Sequence, residues 1–260
     1  MTYVESRDKL QHTLDVLIVL AQKDFKVRYR NSVLGFLWSL LNPLAYMVVL
    51  TLVFALLLRV NIPSFAAWEL IGLLIWRFFS IGTGQGLLTI SMNPSLVNKV
   101  RLSGPLIVLS NNLANFLGSS LEFLVLLPLL LILGINLSKA AIVVPVLFVL
   151  EFILVFGVSL TLAALNVEYQ DFYQLWSIAL QLGFFLTPIV YDASLIPARF
   201  SFYYSLNPLT RLIDATRGAL LYRTMPTAFD FGVILASAAI MLVVGFLVCD
   251  HYQRTFAEVV

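Results

Sequence analysis

Three ionisable residues stand inside long apolar runs of this sequence: Arg77, Glu122 and Glu151. Counted from one end of each run, all three fall at similar depth. A charge held at that depth in a bilayer is costly, so it must find an opposite charge or a wet cavity. The pattern predicts a bridge from Arg77 to Glu122 or Glu151, acting either as a structural ion pair or as a contact for a passing substrate. Catalytic chemistry has no such foothold. Gly82, Gly84 and Gly86 lie within one apolar run, with no strand before them and no lysine in the run, and read as close helix packing rather than a phosphate cradle. The sequence has no paired-histidine zinc motif and no nucleophile elbow. His12 and His251 read as solvated or interfacial residues near the two ends. No catalytic residue, metal site or cofactor is expected in this chain, so active work would draw on a partner or an ion gradient.

The elements that position these charges follow from composition. Sixty per cent of residues are apolar, 12% are charged, and the mean hydropathy is +0.95. A soluble domain is about 45–50% apolar and about 25% charged. The solvent must therefore be lipid, crossed by helices of roughly 20 apolar residues each. Six runs reach that length, at about 34–58, 68–92, 106–134, 140–166, 173–191 and 229–249. This predicts an all-α membrane protein with six transmembrane helices in a single domain. An even number of spans puts both termini on one side. That side carries Arg7, Lys9, Lys23, Lys26, Arg28 and Arg30, with Lys99 and Arg101 in the loop after the second span; the opposing short loops offer Arg59 and Lys139. The richer side is the cytoplasm. Trp38, Trp68 and Trp176 fall near span ends, where aromatic belts sit. A net charge of +2 without any long basic run gives no reason to expect nucleic acid, and the one cysteine, Cys249, excludes an intrachain disulfide. The first residues are mixed in charge and lack a cleavage site, so no removable signal peptide is expected.

Three segments outside the spans have patterns of their own. Residues 10–31 read as an amphipathic helix lying in the interface plane: Leu10, Leu14, Leu17, Ala21 and Phe25 recur on one side, Lys23, Lys26 and Arg30 on another. Residues 93–104 read as a short cytoplasmic helix opened by Asn93 and Pro94, with Leu96, Val97 and Val100 on an apolar side and Lys99 and Arg101 in polar positions, closed by Gly104-Pro105. Residues 192–226 are too apolar for a free outer loop. Asn207-Pro208 repeats the start signal there, and one or two re-entrant or interface-lying helices are expected before the last span. Leu-Asn-Pro-Leu occurs at both Leu41 and Leu206, but the flanks do not match and no internal repeat is read. Aromatic side chains are abundant. Tyr46, Trp76, Phe79, Phe184, Phe185 and Tyr191 are pore or gate candidates, since flat apolar faces could line a path; ordinary packing is the simpler reading of each.

Two stretches carry a family resemblance. Arg28-Tyr29-Arg30-Asn31-Ser32-Val33-Leu34-Gly35-Phe36-Leu37-Trp38, continuing to Leu41-Asn42-Pro43-Leu44, resembles the start of ABC transporter permeases that export O-antigen, capsule or teichoic-acid polymers. So does Thr187-Pro188-Ile189-Val190-Tyr191, followed by Pro197, by Leu206-Asn207-Pro208-Leu209-Thr210 and by Arg217-Gly218. The resemblance spans essentially the whole chain. It implies the permease subunit of a lipid-linked polysaccharide exporter in a bacterial inner membrane, with two copies joined to two ATP-binding cassette subunits that hold ATP and Mg. It implies that the 93–104 helix is the coupling helix (Asn93, Pro94, Leu96, Val97, Lys99, Arg101), with residues 166–171 a second cytoplasmic contact. It also implies that Lys23, Lys26, Arg28 and Arg30 attract an anionic lipid-pyrophosphate head, of the undecaprenyl-pyrophosphate kind, and that residues 192–226 form an outer gate. Family members often carry Arg-Asp after the fourth span, where this chain has Gln170-Asp171. An efflux permease for a drug or lipid, and an ion-coupled secondary transporter, are the alternatives.

Overall fold

The computed structural model describes residues 2–30, 35–57, 59, 62–100 and 102–259. Asn31 to Leu34 and Arg101 lie outside the described residues, as do the side chains of Arg7, Lys9 and His12. All regular structure among the described residues is helical.

The chain is organised around α3, Phe65–Leu88, whose membrane-length window is 78% buried. Its apolar faces meet α2 (Leu37–Thr51), α5 (Gly104–Ile132), α6 (Val144–Glu168), α7 (Phe172–Leu186) and α9 (Pro208–Arg217). Around Phe78 the core is aromatic: its ring lies 5.1 Å from that of Phe148, which in turn stacks 4.8 Å from Phe116. Small residues let α3 approach α6. A Cβ on Gly82 would stand 2.5 Å from Val155, and one on Gly86 2.5 Å from Ser159. Gly84 has open space instead, so two of the three glycines do the packing and the third faces a cavity. Gly157 of α6 likewise admits α10 (Ala228–Val259), where an added Cβ would meet the backbone of Leu242 at 2.5 Å. Side-chain-free contact of this kind builds lipid-embedded bundles, because lipid offers no hydrophobic drive for helices to associate.

Among the described residues, five helices are long and apolar enough to cross a membrane: Leu37–Phe54, Phe65–Leu88, Gly104–Ile132, Lys139–Glu168 and Ala228–Tyr252. The fifth apolar run gives a shorter element. α7 has 15 residues, about 22 Å of helix against a hydrocarbon core of roughly 30 Å. Thr187 ends it, and Pro188 forbids a helical continuation through that point.

Outside the spans, α1 (Thr2–Tyr29) begins well before residue 10 and packs along α5 through buried Leu20 and Ala21. α4 covers only Pro94–Asn98, and Gly104-Pro105 opens α5 rather than closing α4. The expected ending is corrected by the chemistry of proline, which is pre-organised for the first helical positions. Within residues 192–226 the chain forms two short helices, α8 (Ala198–Leu206) and α9.

Candidate functional site

One stripe of α3 is left uncovered by the core. Arg77, Ser80, Ile81, Gly84, Gln85 and Leu88 recur at helical spacing, and all face a trough between α2 and α7. Three adjoining cavities make up this side of the molecule. The first, of about 530 Å³, is lined by Tyr46, Trp76, Phe184 and Phe185 together with Asn42, Arg77 and Gln181. The second, of about 380 Å³, continues along Gly84, Gln85 and Trp176. The third, of about 300 Å³, turns behind Arg77 and Gln85 toward Arg28 and Glu122.

The aromatic wall is held in place by identifiable contacts. Trp76 meets Phe184 edge-on at 6.0 Å and Phe79 at 5.9 Å. Gly183 makes room for the Trp76 ring, since a Cβ there would lie 2.9 Å from it. Trp176 donates its indole N–H to Thr83 Oγ1 at 3.0 Å, tying α7 to α3. Phe79 is buried behind this wall and lines none of the three cavities. Tyr191 stands apart from the trough. Its hydroxyl donates to Phe185 O at 3.0 Å and lies 3.4 Å from that of Tyr204, in the outer segment.

The intramembrane charges sort themselves. Arg77 Nε lies 3.4 Å from Glu122 Oε1, and Arg77 Nη1 donates to Asn42 Oδ1 at 3.1 Å. Glu151 is 1% exposed and, among the described residues, forms no ion pair and leaves Oε1 without a partner. Glu69, not singled out from the sequence, is fully buried and accepts only a long bond from Thr51 Oγ1 at 3.4 Å. It lies at the start of the second apolar run, next to Trp68. The basic stretch of α1 also divides. Arg28 turns inward and donates to Gln85 Oε1, whereas Lys23, Lys26 and Arg30 are exposed.

At the opposite end of the molecule, Arg217, which by sequence stands in a motif and at ion-pair spacing from Asp214, instead supplies a clamp. It is 2% exposed, and donates from Nε to Trp68 O at 2.9 Å, from Nη1 to Pro188 O at 2.9 Å and from Nη2 to Ile189 O at 2.8 Å. Its guanidinium also sits over the Trp68 ring, 3.2 Å from the centroid. Burial lowers its pKa to about 9, so it stays charged at neutral pH. Burial raises neighbouring Asp214 to about 6, against the opposing pull of Arg217 and Arg211. Asp192 is held low by hydrogen bonds from Ser194. Arg211 pairs with Asp230 at 3.1 Å and fastens α9 to the start of α10.

On the side of α4, Leu96 and Val97 are half-buried while Pro94 and Lys99 are exposed. Asn93 makes no capping bond to α4; its Nδ2 donates to Thr89 O at 2.8 Å. A cavity of about 380 Å³ opens beside it, lined by Ser91, Pro94, Asn166, Gln170 and Tyr173. No group of three or more metal-ligating side chains gathers among the described residues.

A trough with aromatic platforms, amide groups and one tethered guanidinium can accompany an extended polar chain. It provides faces for stacking and donors and acceptors for hydroxyls, but no nucleophile. Comparison with known proteins gives the same direction. The family model of the ABC-2 type transporter matches residues 15–221. The chain is 34% identical over 253 residues to an O-antigen export system permease protein RfbA of Myxococcus xanthus, covering 94% of each chain. It is 29% identical over 257 residues to one from Klebsiella pneumoniae, covering 98% of this chain and 99% of the relative. A polysialic acid transport protein KpsM of Escherichia coli is 23% identical over 239 residues, with 91% of each covered.

Proposed function

This chain belongs to the ABC-2 type transporter family, and on that footing we propose that it is the transmembrane subunit of an ATP-driven exporter of polysaccharide. The observation that carries the reading is the trough along α3, with Trp76, Phe184, Phe185 and Tyr46 on its walls and Asn42, Arg77 and Gln181 between them. Relatives aligned over most of their length are named as O-antigen export system permease proteins and a polysialic acid transport protein, and both cargoes are sugar polymers. A drug or lipid pump would favour a dry cleft, and an ion-coupled carrier would need no motor.

In this reading the trough is half of a channel. α2 and α7 flank it and bury little of their own surface, α7 none of its residues, so a second copy of the chain completes the wall. α7 makes the sixth crossing together with the Thr187 to Val190 segment, despite its shortness. Both termini then lie in the cytoplasm, with the chain in a bacterial inner membrane. α1 rests at the inner interface, where Lys23, Lys26 and Arg30 offer charge to an anionic lipid-pyrophosphate carrier. α4 seats in a nucleotide-binding subunit, which holds ATP and Mg, and the α8–α9 region gates the outer end.

Cargo crosses because the motor closes on ATP and opens after hydrolysis, moving α4 as a lever. Along the path the polymer trades water for aromatic faces and for the amides of Asn42, Gln85 and Gln181, which avoids stranding hydroxyls in an apolar medium. The test is purification of the tagged chain with its neighbours, followed by ATP-dependent movement of lipid-linked polymer in reconstituted vesicles. A nucleotide-binding partner should copurify, and Trp76→Ala with Phe184→Ala should lower export at least tenfold while assembly persists. Transport that continues without ATP, or a chain that never brings down a nucleotide-binding subunit, overturns the reading.

A further inference from the structure

The cavity behind Arg77 is chemically unlike the trough it adjoins, and we propose that it is a binding site for a single neutral pyranose ring. It lies between α1, α2, α3 and α5, and its volume of about 300 Å³ places it at the small end of ligand pockets. That is room for one ring and not for a chain.

Two of its buried residues carry acceptors that no donor among the described residues reaches. Asn115, 2% exposed, gives both its Nδ2 bonds to Asn111, to the backbone oxygen at 3.1 Å and to Oδ1 at 3.1 Å, and its own Oδ1 is left over. Glu122, 5% exposed, offers Oε1 to Arg77, and Oε2 has no partner. Ser39 stands beside Glu122, but its one proton goes to Phe36 O at 2.7 Å. The cavity therefore holds two buried acceptors that call for donors from a ligand, beside the donors its lining already has in Arg28, Arg77 and Gln85. Its cations also bear on the choice of ligand. Arg28 and Arg77 line it together with Glu122, so an ammonium headgroup would meet two guanidinium groups. A phosphate would bring further acceptors, and like charge, to a carboxylate that already wants a proton donor. A neutral polyol satisfies both demands. Its hydroxyls donate to Glu122 Oε2 and Asn115 Oδ1 and accept from the guanidinium groups. Trp38 at the mouth, 59% exposed, offers a face to the ring C–H groups.

The inference rests on the export reading, because it draws the ligand from the chemistry of the cargo, and it adds a place where one sugar is held while the rest of a chain lies in the trough. Arg77, Ile81 and Gln85 line both spaces and connect them.

Saturation-transfer NMR on the full chain in lipid nanodiscs tests it, with the methyl glycosides of mannose, glucose and rhamnose and with inorganic pyrophosphate as probes. At least one glycoside should saturate with a Kd on the order of millimolar. Glu122→Gln should weaken it roughly tenfold. Ser119→Leu, which fills the cavity without touching the ion pair, should do the same and serves if the first variant misfolds. Pyrophosphate should not compete. The proposal fails if no glycoside saturates, if Ser119→Leu leaves binding unchanged, or if pyrophosphate displaces the sugar. Those results would leave ATP-dependent export standing, whereas loss of the motor partner would sink export and say nothing of this cavity.

Discussion

Two helices of this protein start with the same dipeptide and end up as opposites. α9 follows Asn207-Pro208 and α4 follows Asn93-Pro94. Asn207 Oδ1 accepts the amide of Leu209 at 3.0 Å, a working N-cap. α9 then buries Leu209, Thr210, Leu212, Ile213, Ala215, Thr216 and Arg217, and its last residue grips three carbonyls of two other segments. α4 is five residues long, buries none of them and presents Lys99 to solvent. The difference teaches that the start signal decides where a helix begins, while the surface it covers decides what the helix is for. α9 is fastened within this chain. α4 leaves its surface largely uncovered by the rest of the chain.

The largest expected effect tests the fastening. Arg217→Gln leaves up to three buried carbonyls without their charged donor and should cost about 3 kcal/mol or more, read as the loss of unfolding free energy in detergent. Arg217→Lys should not restore it, since a single ammonium cannot span acceptors on Trp68, Pro188 and Ile189 in one plane. If neither substitution destabilises more than a change in α4 does, the contrast is wrong. Lys99→Glu tests the other side of the contrast. Stability should be unchanged, while ATP-coupled export falls roughly tenfold through repulsion at the motor contact. Asn207→Ala should then cost about 1 kcal/mol through loss of the cap.

Asp214 sharpens the same comparison by pH. Its carboxyl titrates near 3.8 when unfolded and at about 6 in place, so the folded state binds more protons between those values. Stability should fall as pH rises from 3.8 to about 6 and then level off. The difference curve between the native chain and Asp214→Asn isolates that slope, and a flat difference would remove Asp214 from the account.

Much of this arrangement was legible in the sequence, for reasons that differ by residue. Apolar run length located the long helices, because lipid leaves the backbone few alternatives to helix. It overran the helix in one place: the run through Phe184 contains Pro188, so α7 ends at Leu186, and a hydropathy sum does not feel where the hydrogen-bond ladder stops. Cost at depth pointed to Arg77, Glu122 and Glu151, yet only contact geometry could choose Glu122 as the partner of Arg77. Among the aromatics, Trp76, Phe184 and Phe185 line the trough while Phe79 backs it. Trp76 and Phe79 are one helical turn apart, and no periodicity separates a wall from its support. Arg217 was visible as a letter in a motif, but its clamp joins residues 149 and 28 positions away in the chain, beyond the reach of any local pattern.

The smallest effect is the most discriminating about α4. Asn93 looks like an N-cap by type and position, yet its side chain reaches back to Thr89 O, one of the terminal carbonyls that α3 leaves without an intrahelical donor. It closes the preceding helix rather than opening the next. Asn93→Ala should therefore cost only about 0.5 kcal/mol, because Asn93 is half-buried and water can reach part of this turn. Asn93→Asp separates the two roles. Aspartate is among the best N-caps, but its ionised carboxylate has no proton to donate to Thr89 O. If Asn93 serves α3, aspartate should be at least as damaging as alanine, whereas at Asn207 aspartate should be close to neutral. A neutral Asn93→Asp beside a costly Asn93→Ala would mean that α4 is capped after all, and that the two Asn-Pro helices differ only in what they bury.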